Sequence, residues 1–405
     1  MVTQTHSPAQ PAQLAGSAAG ANRVQIFVLI DALGWRIAEE HRFLSRRLPF
    51  RQPLRTTLGY SSGAIPTMLS GLRPQEHGHW NLLYFDPDGS PFAWLRHLPE
   101  SWMKYLDQRW GRRGLTWMGR HLLGLGPSFE CALRPALLPW FNWAEKRHLF
   151  QPGSLRPAVS AFDYWRAACL DFRIYSYRSG SDRHLLQRAC RNLERGRASI
   201  LFLYLCELDH CLHLQRDRPT AIASALDVYA QGLERLFAAA EHRDPQMRFR
   251  VCSDHGMALV RRRVDLATPL RQLGWRSPED YLAVFDSTML RFWCFHPEVR
   301  ASLTAWLQGL DCGCLLPEAE LRRNGVWFDD GRFGDLIFLL HPGVMVGEGE
   351  FNGRGWNPCG MHGYHPDDPD SDAVLLSNCP KDVRLRSIAD LFGCLCEPLQ
   401  PERAA

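Results

Sequence analysis

Carboxylates and histidines, side chains that hold zinc or manganese in proteins, lie close together at two places in the chain. Asp254 and His255 follow a short apolar run, so an oxygen ligand and an imidazole ligand would lie together at the end of a strand. Asp209 and His213 are four residues apart, a spacing that brings two side chains to one face of a helix. Each pair alone is also typical of an ordinary helix start, where an aspartate caps the first turn.

Two more residues could complete such a site. Asp31 ends the first apolar run of the chain, where an aspartate can bind a metal or cap the next helix. His362 lies in a loop rich in Gly and Pro, before another apolar run at residues 373–376. A histidine in a loop is ordinarily only solvated, so neither residue indicates a metal site by itself.

A stretch of small and hydroxyl residues at 59–71 adds a candidate nucleophile. Ser61 and Ser62 come at the start of a predicted helix that ends at Gly71. Backbone N–H groups and the positive end of the helix dipole lie beside such a serine, and this setting holds a phosphate. The alternative is a serine that only caps the helix.

Together these residues form a complete set for a two-metal site. Two divalent ions about 4 Å apart need about six protein ligands and a nucleophile that approaches both. Metal coordination lowers the pKa of a hydroxyl, so the serine would need no histidine base beside it. The ligands of one ion would be Asp209, His213 and His362, and those of the other Asp31, Asp254 and His255.

The elements that would position these residues are strands alternating with helices. Apolar runs predict strands, and several of them end in acidic residues. The alternation predicts an α/β fold with a mostly parallel sheet between layers of helices, in which ligands bind at the carboxyl ends of the strands. The predicted strands are residues 24–30, 200–206, 249–252, 335–340 and 373–376, and residues 221–241 are a predicted helix.

Two segments interrupt this alternation. The first is rich in Trp, Arg, Pro and Gly and predicts a cap beside the active face; the second predicts a smaller α+β insertion. We therefore divide the chain into a disordered tail (1–21), an α/β core (22–86, 199–269 and 334–400), a cap insertion (87–198) and a second small insertion (270–333).

Composition bounds the class of protein. The 405 residues are 45% hydrophobic and 22% charged, which is ordinary globular usage. A net charge of +4 is too small to indicate binding to a nucleic acid duplex. Thirteen cysteines, an odd number, without a signal peptide before them predict a reducing cytoplasm. No apolar run approaches the ~20 residues that a membrane helix needs.

The order of these motifs resembles that of the alkaline phosphatase superfamily, and within it the type I phosphodiesterase/nucleotide pyrophosphatase branch. The resemblance rests on Asp31, on the stretch 61–78, on Asp209 with His213, on 253–256 and on His362-Gly363. It implies two metal ions, usually both zinc, and a covalent phospho-enzyme on Ser or Thr. The cap has no counterpart in it.

This sequence departs from the family pattern at two places. The nucleophile of this branch is commonly Thr, and the family spacing to Gly71 selects Ser61 here, with Ser62 as the second candidate. A sulfatase spacing would select Ser62, but the arginine of a sulfatase motif is absent. The family also places a phosphoryl-binding Asn shortly after a His-Gly pair, and Asn81 is one residue out of that register.

We therefore expect a metal-dependent hydrolase of a phosphodiester or phosphoanhydride. Its substrate would be a small molecule or a lipid-linked phosphoester, and no pattern assigns an oligomeric state. One alternative is a phosphotransferase that passes a phospho-alcohol group to a sugar or lipid hydroxyl. Another is a catalytically silent, metal-stabilised binding protein, against which the complete ligand set argues.

The cap also suggests a contact with the membrane surface. Trp94, Trp102, Trp110 and Trp117 recur every seven or eight residues, near two helical turns, among many arginines. Tryptophan and arginine together suit the boundary between lipid headgroups and acyl chains. A plain hydrophobic lid is the alternative, because Pro99 and Gly111 interrupt any single helix.

Overall fold

The computed structural model describes residues 23–125, 129, 131, 133–347, 349 and 356–397. The predicted tail at 1–21 lies outside the described residues. The strands are β1 Gln25–Ile30, β2 Phe50–Leu54, β3 Leu83–Phe85, β4 Phe141–Trp143, β5 Phe172–Tyr175, β6 Ile200–Leu205, β7 Arg248–Cys252, β8 Ala258–Leu259, β9 Arg262–Val264, β10 Tyr281–Phe285, β11 Met289–Cys294, β12 Gly313–Leu315, β13 Leu336–Leu340, β14 Val344–Val346, β15 Gly360–Met361 and β16 Ala373–Ser377.

The helices connect these strands and cover the sheets. They are α1 Trp35–Glu40, α2 Ser61–Ser70, α3 Pro74–His77, α4 Glu100–Leu106, α5 Arg109–His121, α6 Ala161–Ala167, α7 Asp182–Glu194, α8 Glu207–Gln215, α9 Pro219–Arg243, α10 Ala267–Gln272, α11 Pro297–Gln308, α12 Glu318–Arg323 and α13 Leu391–Leu395.

A six-stranded sheet forms the centre, in the order β2-β16-β7-β1-β6-β5. Strands β7, β1, β6 and β5 are parallel, and β16 and β2 continue the sheet in antiparallel pairs. Every residue of β1 is buried, as expected for a strand covered on both faces. The predicted α/β class with a mostly parallel sheet between helices is therefore confirmed.

Alternate residues of β1 enter two separate cores. Ile26 and Val28 pack with the core that α7 and α9 cover, while Phe27 and Leu29 pack with the core of α2, α6 and α13. Helices on both faces bury the central strands β1, β6 and β7, so the ends of these strands are where polar groups can reach a ligand.

A smaller sheet, β10-β11-β13-β12, is antiparallel and carries α11 on one face. The predicted strand at 335–340 is found here as β13 rather than in the central sheet, so the segment predicted at 270–333 continues to residue 340. The apolar run alone could not show which sheet this strand joins, because a strand inside either sheet is buried on two faces.

The segment predicted as the cap, 87–198, divides between two parts of the molecule. Helices α4 and α5 and strand β4 share a core with Leu282 and Trp293 of the small sheet. Strand β5 and helix α7, by contrast, belong to the central sheet and its cover. Strand β5 leaves little pattern in the sequence, because it is an edge strand of four residues of which only one is fully buried. None of the helices in the described ranges is long and apolar enough to cross a membrane.

Candidate active site

The candidate site lies at the carboxyl ends of three adjacent parallel strands. Pairing places Ile30 beside Leu205, and Leu29 beside Cys252, so β1, β6 and β7 end at the same level. Asp31 follows β1 directly, and the helix with Asp209 and His213 starts two residues after β6. Asp254 and His255 come two and three residues after β7. The sequence separations of these residues are large, but strand pairing makes them neighbours.

His362 reaches the site through a different pairing. Strand β15 pairs antiparallel with β8, the short strand that follows His255, and His362 comes directly after β15. His213 fixes the same segment, since its Nδ1–H donates to the carbonyl of Gly360 at 2.8 Å. The loop histidine is therefore held on two sides.

The structure brings the six predicted ligands into two groups. In each group one ligand atom from each residue lies within 4.8 Å of the others, as binding to a single ion requires. The groups touch, because the rings of His255 and His362 stack with centroids 3.9 Å apart and planes 12° from parallel. The groups are Asp209, His213 and His362, and Asp31, Asp254 and His255.

Backbone carbonyls select which nitrogen of two histidines faces the site. His255 Nδ1–H donates to the carbonyl of Gly256 at 3.0 Å, and His213 Nδ1–H donates to Gly360. The Nε2 atom of each ring is left to face the carboxylates, 3.4 Å from Asp254 for His255 and 3.4 Å from Asp209 for His213. This arrangement orients the imidazole and fixes its tautomer, as at known metal-binding histidines.

The carboxylates of the site lack the partners that buried charges need. Burial raises the pKa of Asp31 well above its usual value, and the carboxylates of Asp254 and Asp209 raise it further. Burial also raises the pKa of Asp209. One oxygen each of Asp31, Asp209 and Asp254 is buried without a hydrogen-bond partner among the described residues. A divalent cation would satisfy these oxygens, so the donor set fits a metal.

The electrostatics of His362 are also consistent with metal binding. Burial lowers the pKa of His362 well below its usual value, and His255 and His213 lower it further. Its Nδ1 is another buried atom without a partner in the described part of the chain. A neutral imidazole is the form that binds a metal.

Ser61 and Ser62 differ in where their hydroxyls lie. Ser61 is the first residue of α2, and its Oγ is 2.9 Å from His255 Nε2, within the ligand cluster. The Ser62 hydroxyl instead donates to the carbonyl of Trp80 at 3.2 Å. Ser61 therefore faces the carboxylates and histidines, and Ser62 faces the segment that precedes Asn81.

Asn81 is buried with 2% of its surface exposed. Among the described residues, its amide nitrogen contacts only the sulfur of Met289, at a distance of 3.9 Å. The side chain is thus close to the start of α2, since Trp80 contacts Ser62, but no hydrogen bond in the structure ties it to Ser61.

Three positioning residues were missed at the level of sequence. The Tyr204 hydroxyl donates to Asp31, and the apolar run of β6 could only have shown that Tyr204 is buried. Asp182, at the start of α7, accepts from the backbone N–H groups of Cys206 and Glu207 at 3.1 and 2.9 Å, and so caps the helix that carries Asp209. No short-range pattern marks this cap, because its carboxylate comes from another helix.

Tyr60 is the third of these residues. Its hydroxyl hydrogen-bonds with Thr288 Oγ1 at 2.9 Å, and Thr288 in turn donates to the carbonyl of His362 at 3.1 Å. Gly363 has φ +89°, and a Cβ there would lie 2.4 Å from the Tyr60 ring. Tyr60 therefore links the residue before Ser61 to the loop of His362.

An α/β sheet with two carboxylate–histidine groups and a serine at a helix start defines a metal-dependent hydrolase site. The sequence model of the type I phosphodiesterase / nucleotide pyrophosphatase family matches residues 60–365, from Tyr60 to the residues just after His362. The chain belongs to this family, within the alkaline phosphatase superfamily, and is a hydrolase of the phosphodiesterase/pyrophosphatase kind. The family is metal-dependent. No curated protein sequence matches the chain.

Solved structures show the same fold. Murine ectonucleotide pyrophosphatase/phosphodiesterase 5 is 14% identical, with a TM-score of 0.62 over 95% of this chain and 97% of that one. The human protein of the same name is 12% identical, with a TM-score of 0.64 and the same coverage. Phosphonoacetate hydrolase from Sinorhizobium meliloti 1021, in complex with phosphonoacetate, is 12% identical, with a TM-score of 0.59 over 92% of this chain and 95% of that one.

Proposed function

We propose that the protein hydrolyses a phosphodiester or phosphoanhydride through a covalent phosphoserine on Ser61. One observation carries this proposal. The Ser61 Oγ lies at the start of α2 and 2.9 Å from His255 Nε2, between the helix terminus and the two ligand groups. The Ser62 hydroxyl donates to the carbonyl of Trp80 instead, which supports Ser61 as the nucleophile.

In the first step, the Ser61 hydroxyl gives its proton to water and its Oγ attacks phosphorus. The Oγ–P bond forms and the bond from phosphorus to the leaving oxygen breaks, so a diester substrate leaves its other substituent on the phosphoryl group of Ser61. The leaving alkoxide or phosphate takes its proton from water. In the second step, a water oxygen attacks phosphorus, the Oγ–P bond breaks, and the serine hydroxyl regains a proton. Splitting hydrolysis into two displacements is the general advantage of a covalent intermediate.

Two divalent cations would be held by the two groups, one by Asp209, His213 and His362 and the other by Asp31, Asp254 and His255. Bound there, they would lower the pKa of the serine hydroxyl and stabilise charge on the phosphoryl oxygens. Zinc suits a set of carboxylates and imidazoles with few ligands per ion, and manganese is the second choice.

The start of α2 supports the phosphoryl group from another side. The first N–H groups of a helix have no partner within the helix, and the dipole favours an anion there. Asn81 remains a candidate donor to a phosphoryl oxygen, because it is buried near this helix start and its amide has no strong hydrogen bond in the structure. Its role would require a rotation of its side chain toward Ser61.

Small phosphoesters, nucleotides among them, are the substrate class that the family supports. One murine structural neighbour was solved as an inactive variant in complex with AMP. We propose that diesters are cleaved faster than monoesters, with a lipid-linked phosphoester as a further candidate. All thirteen cysteines are free, which supports the proposal of a reducing, cytoplasmic environment.

The test combines metal analysis, a substrate panel and trapping of the intermediate. Metal content is measured first, and chromogenic monoesters, diesters and sulfates are then compared. Rapid acid quench followed by peptide mass spectrometry should find the phosphoryl group on Ser61, together with the remaining substituent when the substrate is a diester. Product analysis with and without sugar or lipid alcohols separates hydrolysis from transfer. A preference for monoesters would contradict the diesterase assignment, and phosphate on Ser62 would contradict the nucleophile.

A further inference from the structure

Exposed aromatic side chains are concentrated on the cap. Among the described residues, twelve large hydrophobic side chains are exposed, and six of them lie within residues 94–122. Five of these are aromatic and form what we call the cap surface. They are Trp94 (41% exposed), Trp102 (57%), Tyr105 (66%), Trp110 (74%) and Trp117 (58%). A concentration of this kind marks an interaction surface, whereas single exposed apolar residues need no explanation.

Helix α5 presents two distinct faces. Leu115 and Gly119 are buried and face the interior of the cap. On the opposite side, Trp110, Arg113 and Trp117 follow one another at spacings of three and four residues, so they form one exposed stripe. The Arg113 guanidinium lies 5.1 Å from the centre of the Trp110 ring. The helix is therefore amphipathic, with aromatic and basic side chains mixed on its outer face.

Helix α4 extends this outer face. A Cβ on Gly111 would lie 2.5 Å from Cα of Leu106, so the glycine allows α5 to pack closely on the end of α4. Trp102 and Tyr105 are three residues apart on α4, and both are exposed. Pro99 and residues 107–108 separate the aromatic residues into a 3₁₀ turn and two helices, so the tryptophans do not share the single helical stripe that their spacing suggested.

The outer aromatic residues are not needed to fill the cap. Its interior is already packed by other rings, with Phe92, Phe129 and Trp143 in mutual contact at centroid distances of 5.0 to 5.9 Å. The alternative of a plain hydrophobic lid would place the tryptophans inside this cluster. The structure places four of them outside it.

The charge of this segment matches an anionic partner. Residues 94–122 contain six Lys and Arg residues but only two acidic ones, an excess equal to the +4 of the whole chain. One of the acids, Asp107, pairs with Arg112 at 2.7 Å. Arg109 and Arg113 are exposed beside the tryptophans. Basic residues near a membrane attract anionic lipids, and Trp and Tyr favour the headgroup level.

We propose that the cap surface binds the surface of an anionic lipid bilayer, with α4 and α5 lying flat at the headgroups. Trp102, Trp110 and Trp117 would enter the boundary with the acyl chains, while Arg109 and Arg113 would contact the lipid phosphates. An α-helix of 13 residues is about 20 Å long, so α5 alone offers an extended contact to a planar surface. This inference does not depend on the chemistry at Ser61.

Flotation of the full-length protein with vesicles tests the proposal. Vesicles of phosphatidylcholine alone are compared with vesicles that also contain phosphatidylglycerol, at low and moderate salt. We expect at least about tenfold stronger binding to the anionic vesicles, and weaker binding as salt rises. Trp110→Ser/Trp117→Ser should lower binding to anionic vesicles at least about tenfold, because two large apolar side chains no longer enter the interface. Arg109→Gln/Arg113→Gln should remove most of the preference for anionic lipid.

A matched variant changes exposed apolar residues elsewhere. Val228→Ser/Val383→Ser alters side chains that are 58% and 43% exposed, and it should bind vesicles like the wild type. Hydrolysis of a soluble chromogenic substrate and the melting temperature verify that each variant is folded. No flotation at low salt, or equal flotation of the Trp110→Ser/Trp117→Ser protein, overturns the proposal. So does a wild-type dimer that this variant dissociates without any vesicle binding, since the cap surface would then bind a second copy.

Discussion

Two clusters of buried charge lie at β7, one around a residue within the strand and the other just past its end. Their charges are compensated in different ways. Arg250, within β7, is 1% exposed and forms two hydrogen bonds with Asp382, at 2.7 and 3.0 Å. Glu397 adds a third contact at 3.1 Å. Just past the end of β7, Asp254 lies with Asp31 and Asp209, and no Lys or Arg ion pair to these three carboxylates occurs within the described ranges.

The difference separates a structural use of charge from a functional one. A buried charge is costly unless another charge and hydrogen bonds compensate it. The chain supplies that compensation for Arg250 itself. At the strand ends it supplies carboxylates and imidazoles. Under the proposed function the compensating charge is a divalent cation from solution, and that bound cation then takes part in the chemistry.

Removal of metal should have the largest effect. Prolonged chelation is expected to abolish activity and to lower the melting temperature, because a ligand that binds only the folded state stabilises it and because Asp31, Asp209 and Asp254 then repel one another. Zinc or manganese should restore both. Activity assays and thermal unfolding before and after chelation measure this. Full activity in protein shown to be free of metal would break the comparison, since the carboxylates would need no external cation.

Ser61→Ala should lower turnover by about 10³-fold or more, because it removes the hydroxyl that would form the covalent intermediate. Its metal content and melting temperature should stay close to those of the wild type, as the hydroxyl is at most one weak ligand. Ser62→Ala is the matched control, with the same atoms removed one residue away, and its loss should be much smaller. If the two results were reversed, the nucleophile would be Ser62.

Asp254→Asn should separate function from stability. The asparagine Oδ1 can still accept from the backbone N–H groups of Ala32 and His255, at 3.3 and 3.1 Å in the wild type. The change removes a negative charge, so we expect activity to fall at least about 10²-fold with loss of metal. The chelated variant should be at least as stable as the chelated wild type. Urea unfolding with chelator present measures this, and a large loss of stability would give Asp254 a structural role like that of Asp382.

Asp382→Ala should show the opposite behaviour. It leaves the buried guanidinium of Arg250 without its main partner, so the free energy of unfolding should fall by about 3–5 kcal/mol. This loss should be the same with and without chelator, and the activity of the folded fraction should change little. Urea unfolding and assays at low temperature measure both quantities. A loss that depends on metal would show that the two clusters are coupled along β7.

Most of the site could be predicted from the sequence because strand ends are local signals. Apolar runs followed closely by acidic residues predicted β1, β6 and β7, and the parallel pairing of such strands brings their ends together whatever the loop lengths. The helical spacing of Asp209 and His213 was equally local. These patterns predicted five of the six candidate ligands, all but His362, before any contact was known.

Other features were decided only by tertiary packing. His362 is brought to the site by the pairing of β15 with β8, two strands of two residues each, too short to leave a pattern. The difference between Ser61 and Ser62 follows from the approach of Trp80, and the cap of α8 comes from Asp182 on another helix. The strand at 336–340 belongs to the second sheet. The sequence could not show this, because an apolar run indicates that a strand is buried but not which strand pairs with it. Composition alone predicted a cap rich in Trp and Arg. Only the packing of α4 on α5 showed which rings face solvent, because the free energy of burying an aromatic ring is much the same whichever ring is buried.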